Sequence, residues 1–196
     1  MCNTTNTNIE LLLKHSFESG YVNASLSLSQ MINRKGAVTN FDMGSVKLGT
    51  NFLEAEEYKN FKGSYVLLTT EIFGEVSGKN YLFLSTQDIE MFTSAMPSNM
   101  ELKEEFIKEL DNILSAAVIT KLSNALNKRM YGNVPELIGT INCHIDDLIN
   151  DDFSEEMEEA YINSIYFTFE DGRDSRPLFV WVLDKSSIDA SYPQSA

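Results

Sequence analysis

The sequence is poor in the side chains that bind metals or form covalent cross-links. It has two cysteines and two histidines in 196 residues. Cys143 and His144 are neighbours, and adjacent residues do not present one ion with the usual spacing of ligands, so no structural metal site is expected. Two thiols make no disulfide framework and point to a reducing compartment. Positive charge is scarce too: 15 Lys+Arg stand against 29 Asp+Glu, a net charge of −14, which leaves no basic footprint for a nucleic-acid backbone. The longest charge-free stretch, residues 19–33, is rich in Ser and Asn and falls short of the about 20 apolar residues of a membrane span. Residues 1–8 are polar, with neither the basic nor the apolar region of a secretory signal, so a cytoplasmic location is expected. There is no Gly-x-Gly-x-x-Gly or Walker loop to cradle a nucleotide and no Gly-x-Ser-x-Gly elbow. The acidic run over residues 146–159 lacks the alternating ligands and central glycine of a calcium loop and reads as a solvated face. No cofactor of the chain's own is expected.

What is present suffices for a packed core, since 43% of the residues are hydrophobic and 22% charged. Length favours one domain over residues 1–196. Residues 7–33 read as a long helix: Thr7 and Glu10 have capping-box spacing, Ile9, Leu12, Leu13, Phe17, Leu28 and Ile32 fall near one face, and Gly36 closes it. An irregular stretch is expected over 37–63, then a hairpin of 65–73 and 81–84 around Gly74 and Gly78. A short helix over 88–96 stops at Pro97. Ser98 and Glu101 form a second capping box ahead of a second long helix with Phe106, Leu110, Ile113, Leu114, Ala117, Val118 and Ala125 at helical spacing. This helix ends near Gly132. An extended segment runs through Pro135, a short amphipathic piece carries Ile145, Leu148 and Ile149, and a hairpin of 161–169 and 178–183 turns at Asp171 and Gly172 before a polar tail.

Helix, loop and hairpin thus occur twice. Residues 28–35 align with 122–129 with three identities, Leu28/Leu122, Ser29/Ser123 and Asn33/Asn127. Two units are too few for a solenoid, so the expected fold is α+β (an α/β two-layer arrangement) with pseudo-two-fold repeat halves at about 7–97 and 98–187. The hairpins share one sheet and the long helices lie on one face.

One group of polar residues stands apart. Glu105, Glu109 and Asn112 lie at i, i+4 and i+7 on the second long helix, on one stripe away from the apolar face. Asparagine inside a strongly helical segment is unusual, because its amide competes for the backbone. The plain reading is a wet helix face. Yet Glu109-x-x-Asn112, with Pro135 twenty-three residues after the asparagine, resembles the signature of the CheC/CheX/FliY family of chemotaxis phosphatases. Asn112-Ile113, Leu122-Ser123, the segment 71–78 and the layout of 135–169 are similar as well. The likeness spans about residues 9–184, and its two halves look most like CheC.

The resemblance implies hydrolysis of the aspartyl phosphate of a phosphorylated CheY-type response regulator. Asn112 would orient the attacking water and Glu109 would meet the regulator's lysine, with Mg²⁺ supplied by the regulator. This fits phosphoryl transfer, which needs positioning and charge stabilisation more than a strong base. Glu105 stands where the family has Asp or Ser and is at most an accessory residue. In the first half the repeat register puts His15 and Glu18 where the Glu and Asn would be and Phe41 where the Pro would be, which describes a degenerate site. The closing C-terminal helix of many CheC-like proteins is not expected, because the chain ends soon after Ser187. Two other readings belong to the same resemblance: a non-catalytic binding module, as among flagellar switch components, and a CheD-like deamidase partner docking on residues 143–150.

Overall fold

Two long helices carry buried residues every third or fourth position. In α1 (Asn3–Ile32) these are Ile9, Leu13, Phe17, Tyr21, Ala24 and Leu28. The structure, a computed structural model, describes residues 3–33, 36–47, 64–142, 144–153, 157–169 and 176–190. Between the helices come β1 (Gly36–Lys47), β2 (Tyr65–Gly74), β3 (Gly78–Leu84) and α2 (Thr86–Phe92). The second long helix, α3 (Met100–Leu126), buries Ile107, Leu110, Leu114, Val118, Leu122 and Leu126. After it follow β4 (Met130–Gly132), β5 (Glu136–Ile141), α4 (Ile145–Phe153), β6 (Glu159–Phe169), β7 (Leu178–Asp184) and α5 (Lys185–Asp189).

The strands form one antiparallel sheet in the order β1-β6-β7-β3-β2-β4, with β5 also paired to β2. Both expected hairpins are there, β2/β3 and β6/β7, and they meet at the central β3/β7 pair. The expected turn at Asp171 and Gly172 lies outside the described residues. α1 and α3 pack side by side over one face, where Phe17, Leu114 and Val118 join Leu68, Leu82 and Trp181 in the main core. They approach closely: a Cβ on Gly20 would lie 2.9 Å from Val118 Cα, so only glycine fits at this crossing. Both helices end on an asparagine in the left-handed region, Asn33 (φ 51°) and Asn127 (φ 52°), which the repeat register equates.

Several expectations are corrected. The stretch over 37–63 begins with the strand β1, which pairs with β6 from Gly36↔Phe169 to Lys47↔Glu159. Its register breaks between Thr39 and Asp42, and such an irregularity spoils the period-two pattern by which a strand is read. The extended segment before and after Pro135 is two short strands on β2, and inside the second of them Gly139 (φ 105°) sits at a register break, where Leu67 faces Gly139 and Leu68 faces Leu137. α3 is capped by Asn99, whose side chain accepts from Leu102 N, not by Ser98. α2 starts earlier than expected because Ser85 and Asp88 close a capping box. The tail after β7 begins with the single turn α5, capped by Asp184. Finally, the second face of the sheet is also covered: Ile145, Ile149 and Phe153 of α4 pack on Leu67, Tyr81, Phe83, Val180 and Val182. Asp152 on the outer part of that helix accepts from Lys79 Nζ (3.0 Å) and Tyr81 Oη (2.9 Å), so part of the acidic run ties α4 to β3.

Candidate functional site

The inward side of α3 settles which way its polar stripe points. Ile107, Leu110, Asp111 and Leu114 are buried, so Glu105, Glu109 and Asn112 on the opposite arc are exposed. Asn112 Nδ2 points to Glu109 Oε2 at 3.5 Å, the long limit of a hydrogen bond. One residue back, Lys108 Nζ lies 3.4 Å from Glu105 Oε1, an exposed pair that contributes little to stability.

The chain then turns back to face this stripe. Asn127 in the left-handed conformation lets Lys128 N bond Ser123 O (3.0 Å), and β4 runs alongside β2. Asn133 N donates to Glu71 O (2.8 Å), and Asn133 Oδ1 accepts from Val134 N (2.9 Å), which shapes the bend before Pro135. The result is an open cleft of about 220 Å³ lined by Glu105, Lys108, Glu109 and Asn112 on the helix side and by Gly132, Asn133, Val134 and Pro135 on the other. Residues far apart in sequence, Asn112 and the buried Pro135, are brought to one place. The cleft offers two carboxamides, Asn112 and Asn133, which can both donate and accept, two carboxylates and one ammonium group. Such a set can orient a small polar molecule and attract a cation. Among the described residues there is no group of three or more His, Cys, Asp or Glu side chains that could hold a metal ion.

No protein-family model and no curated protein matches the sequence. Solved structures do match in shape. FliY from Thermotoga maritima superposes with a TM-score of 0.66 at 16% identity, covering 98% of this chain and 96% of that one. CheX from Desulfovibrio desulfuricans gives 0.57 at 13%, covering 87% and 99%. The chain has the CheC/CheX/FliY fold. The FliM middle domain from H. pylori has it too, with a TM-score of 0.52 at 11% identity over 97% of this chain and 98% of that one. Identities this low establish the fold alone, and they do not single out CheC within the group.

In this CheC/CheX/FliY fold the first long helix carries a second polar pair, at the positions that the sequence register sets against Glu109 and Asn112. His15 Nδ1 and Glu18 Oε2 lie 3.3 Å apart on the exposed side of α1. They share the i, i+3 spacing of Glu109 and Asn112 but offer an imidazole and a carboxylate. Phe41 falls in β1, where only the backbone is described. The residues expected to meet a CheD-like partner, 143–150, run from before α4 into its first two turns. Cys143 lies outside the described residues, and Ile145 and Ile149 are buried against the sheet, so the helix shows its polar side outward. No helix among the described residues is long and apolar enough to cross a membrane.

Sequence reasoning passed over four residues that shape the site. Lys108, Asn133 and Val134 line the cleft, and only the fold places the last two opposite α3. The fourth, Asp111, had a readable signal: it interrupts the apolar stripe of Ile107, Leu114 and Val118. It is fully buried, with Thr70 Oγ1 donating to its Oδ2 at 2.7 Å. Burial pushes its pKa up to about 7, against the opposing pull of hydrogen bonds from Thr70 and Ser115.

Proposed function

We propose that this protein is a phosphatase, working in the cytoplasm, that hydrolyses the aspartyl phosphate of a CheY-type response regulator. One observation carries the reading: Glu109 and Asn112 stand exposed on one stripe of α3, at the rim of a cleft whose other wall ends in Pro135. A side chain on a rigid helix can enter a partner's active site in a fixed direction. Asn112 would hold a water through its carboxamide, in line with the phosphorus and opposite the leaving carboxylate. The water oxygen bonds to phosphorus as the bond from phosphorus to the aspartate oxygen breaks. The products are the regulator's carboxylate and inorganic phosphate, and the water's protons leave with the phosphate or pass to solvent. Glu109 would attract the regulator's lysine, with Glu105 as an accessory carboxylate near it. The Mg²⁺ that balances phosphoryl charge belongs to the regulator's own site.

The test is phosphate release from a panel of phosphorylated receiver domains. Asn112→Ala should lower kcat by a factor on the order of 100 and leave the circular dichroism spectrum unchanged, because it removes a transition-state contact on an exposed face. Equal rates for wild type and a folded Asn112→Ala would sink the reading. A protein that binds the phosphorylated regulator without hydrolysing it would instead be a binding module of the same fold.

A further inference from the structure

The two walls of the cleft are fastened from behind by one strand. Thr70 of β2 is buried, and its hydroxyl donates to Asp111 Oδ2 at 2.7 Å, one residue before Asn112. The methyl group of the same side chain faces the other wall: a Cβ on Gly132 would lie 3.3 Å from Thr70 Cγ2 and 2.9 Å from Ile119 Cδ1 of α3. The next residues of β2 complete the clamp, with Asn133 N bonded to Glu71 O and Ile72 paired with Gly132. One turn further along α3, the buried Ser115 hydroxyl accepts from Asn80 Nδ2 on β3 at 3.0 Å, a second polar tie between this helix and the sheet.

We propose that Thr70 and Asp111 are positioning residues of the cleft, fixing the rotation of α3 about its axis and so the place of the Asn112 amide relative to Pro135. The inference rests on the phosphatase reading above. A leucine at position 111 would continue the apolar stripe and pack more easily than a buried acid. What the acid adds is a directional bond, and direction is what an apolar contact lacks. A helix with side chains has a radius of about 5–6 Å, so a rotation of about 10° carries an outer side chain by roughly 1 Å. A misplacement of that size can cost a factor on the order of 100 in rate.

The experiment compares wild type, Thr70→Val, Thr70→Ser, Asp111→Leu and Asn112→Ala in steady-state dephosphorylation of one receiver domain. Amide spectra are recorded for each protein. Thr70→Val and Asp111→Leu should lower kcat about tenfold or more with KM within about twofold, since the contact acts on the transition state rather than on docking. Thr70→Ser, which keeps the hydroxyl, should restore most of the rate. Asp111→Leu guards against a misfolded Thr70→Val, because it breaks the same bond while leaving the Thr70 hydroxyl, rather than a buried carboxyl, without its partner. Folded Thr70→Val and Asp111→Leu proteins with wild-type kcat, beside an inactive Asn112→Ala, would overturn the inference and leave the phosphatase reading standing. If wild type itself is inactive the phosphatase reading fails, and the spectra still decide: an Asn112 side-chain amide resonance unmoved by Thr70→Val would overturn the positioning role, and one that shifts with Val and returns with Ser would support it.

Discussion

Replacing Asp111 by asparagine should make the protein more stable, and more so as the pH rises. In the folded protein this carboxyl has no exposure to solvent and its pKa is pushed up to about 7, whereas an unfolded aspartate titrates near 3.8. Below about pH 3.8 both states hold the proton and the group contributes no difference. Between about 3.8 and 7 the unfolded chain has lost the proton and the folded one keeps it, so stability falls as pH rises; above about 7 the loss is complete. The gap amounts to roughly 4 kcal/mol at about 1.4 kcal/mol per tenfold change in proton affinity. That is a large part of a typical total of about 5–15 kcal/mol. Asn keeps an acceptor for Thr70 and Ser115 and does not ionise. Urea denaturation of wild type and Asp111→Asn at intervals from pH 4 to 8.5 isolates the effect, because the other titrating groups cancel in the difference. The two should nearly coincide at pH 4 and separate by roughly 2–4 kcal/mol at pH 8 in favour of the variant. Curves that run parallel over the whole range would show that Asp111 titrates alike in both states and that its burial has no such cost.

Changing His15 and Glu18 together to Ala should leave dephosphorylation within about twofold of wild type, since their exposed pair on α1 lacks the amide; loss of most activity in that folded variant would show that the first-half site works. Glu109→Lys should lower kcat/KM about tenfold, and the defect should shrink with added salt, because the change sets a cation against the lysine of the partner; normal kcat/KM at low salt would refute the role given to Glu109. Gly74→Ala should destabilise the protein by about 2–4 kcal/mol in urea denaturation, as Gly74 has φ 120° and a Cβ there would sit 2.4 Å from Arg129 O, just before the strand β4 that leads to the cleft; a loss below about 0.5 kcal/mol would mean that this segment yields easily.

Some of this was written in the sequence because it is local. The two long helices follow from apolar residues at three- and four-residue steps, and the two hairpins from β-branched and aromatic runs around turn residues, whose energetics depend on near neighbours. The outward stripe of Glu105, Glu109 and Asn112 follows in the same way: helical geometry alone puts these side chains opposite Leu110 and Leu114. Other features were decided by partners distant in the chain. β1 contains Gly44 and Asp42 and breaks register at Thr39, so it has little strand character until β6 lies beside it. The inward turn of α4 depends on an apolar second face of the sheet that no segment of sequence displays alone. The cleft arises only when α3 packs on the sheet and β4 pairs with β2, which carries Asn133 and Pro135 back to Asn112. Asp111 shows the division within one residue. The sequence puts an acid on the apolar side of a helix, and the tertiary structure decides that Thr70 meets it, because hydrogen bonds between buried groups form only where separate elements bring donor and acceptor within reach.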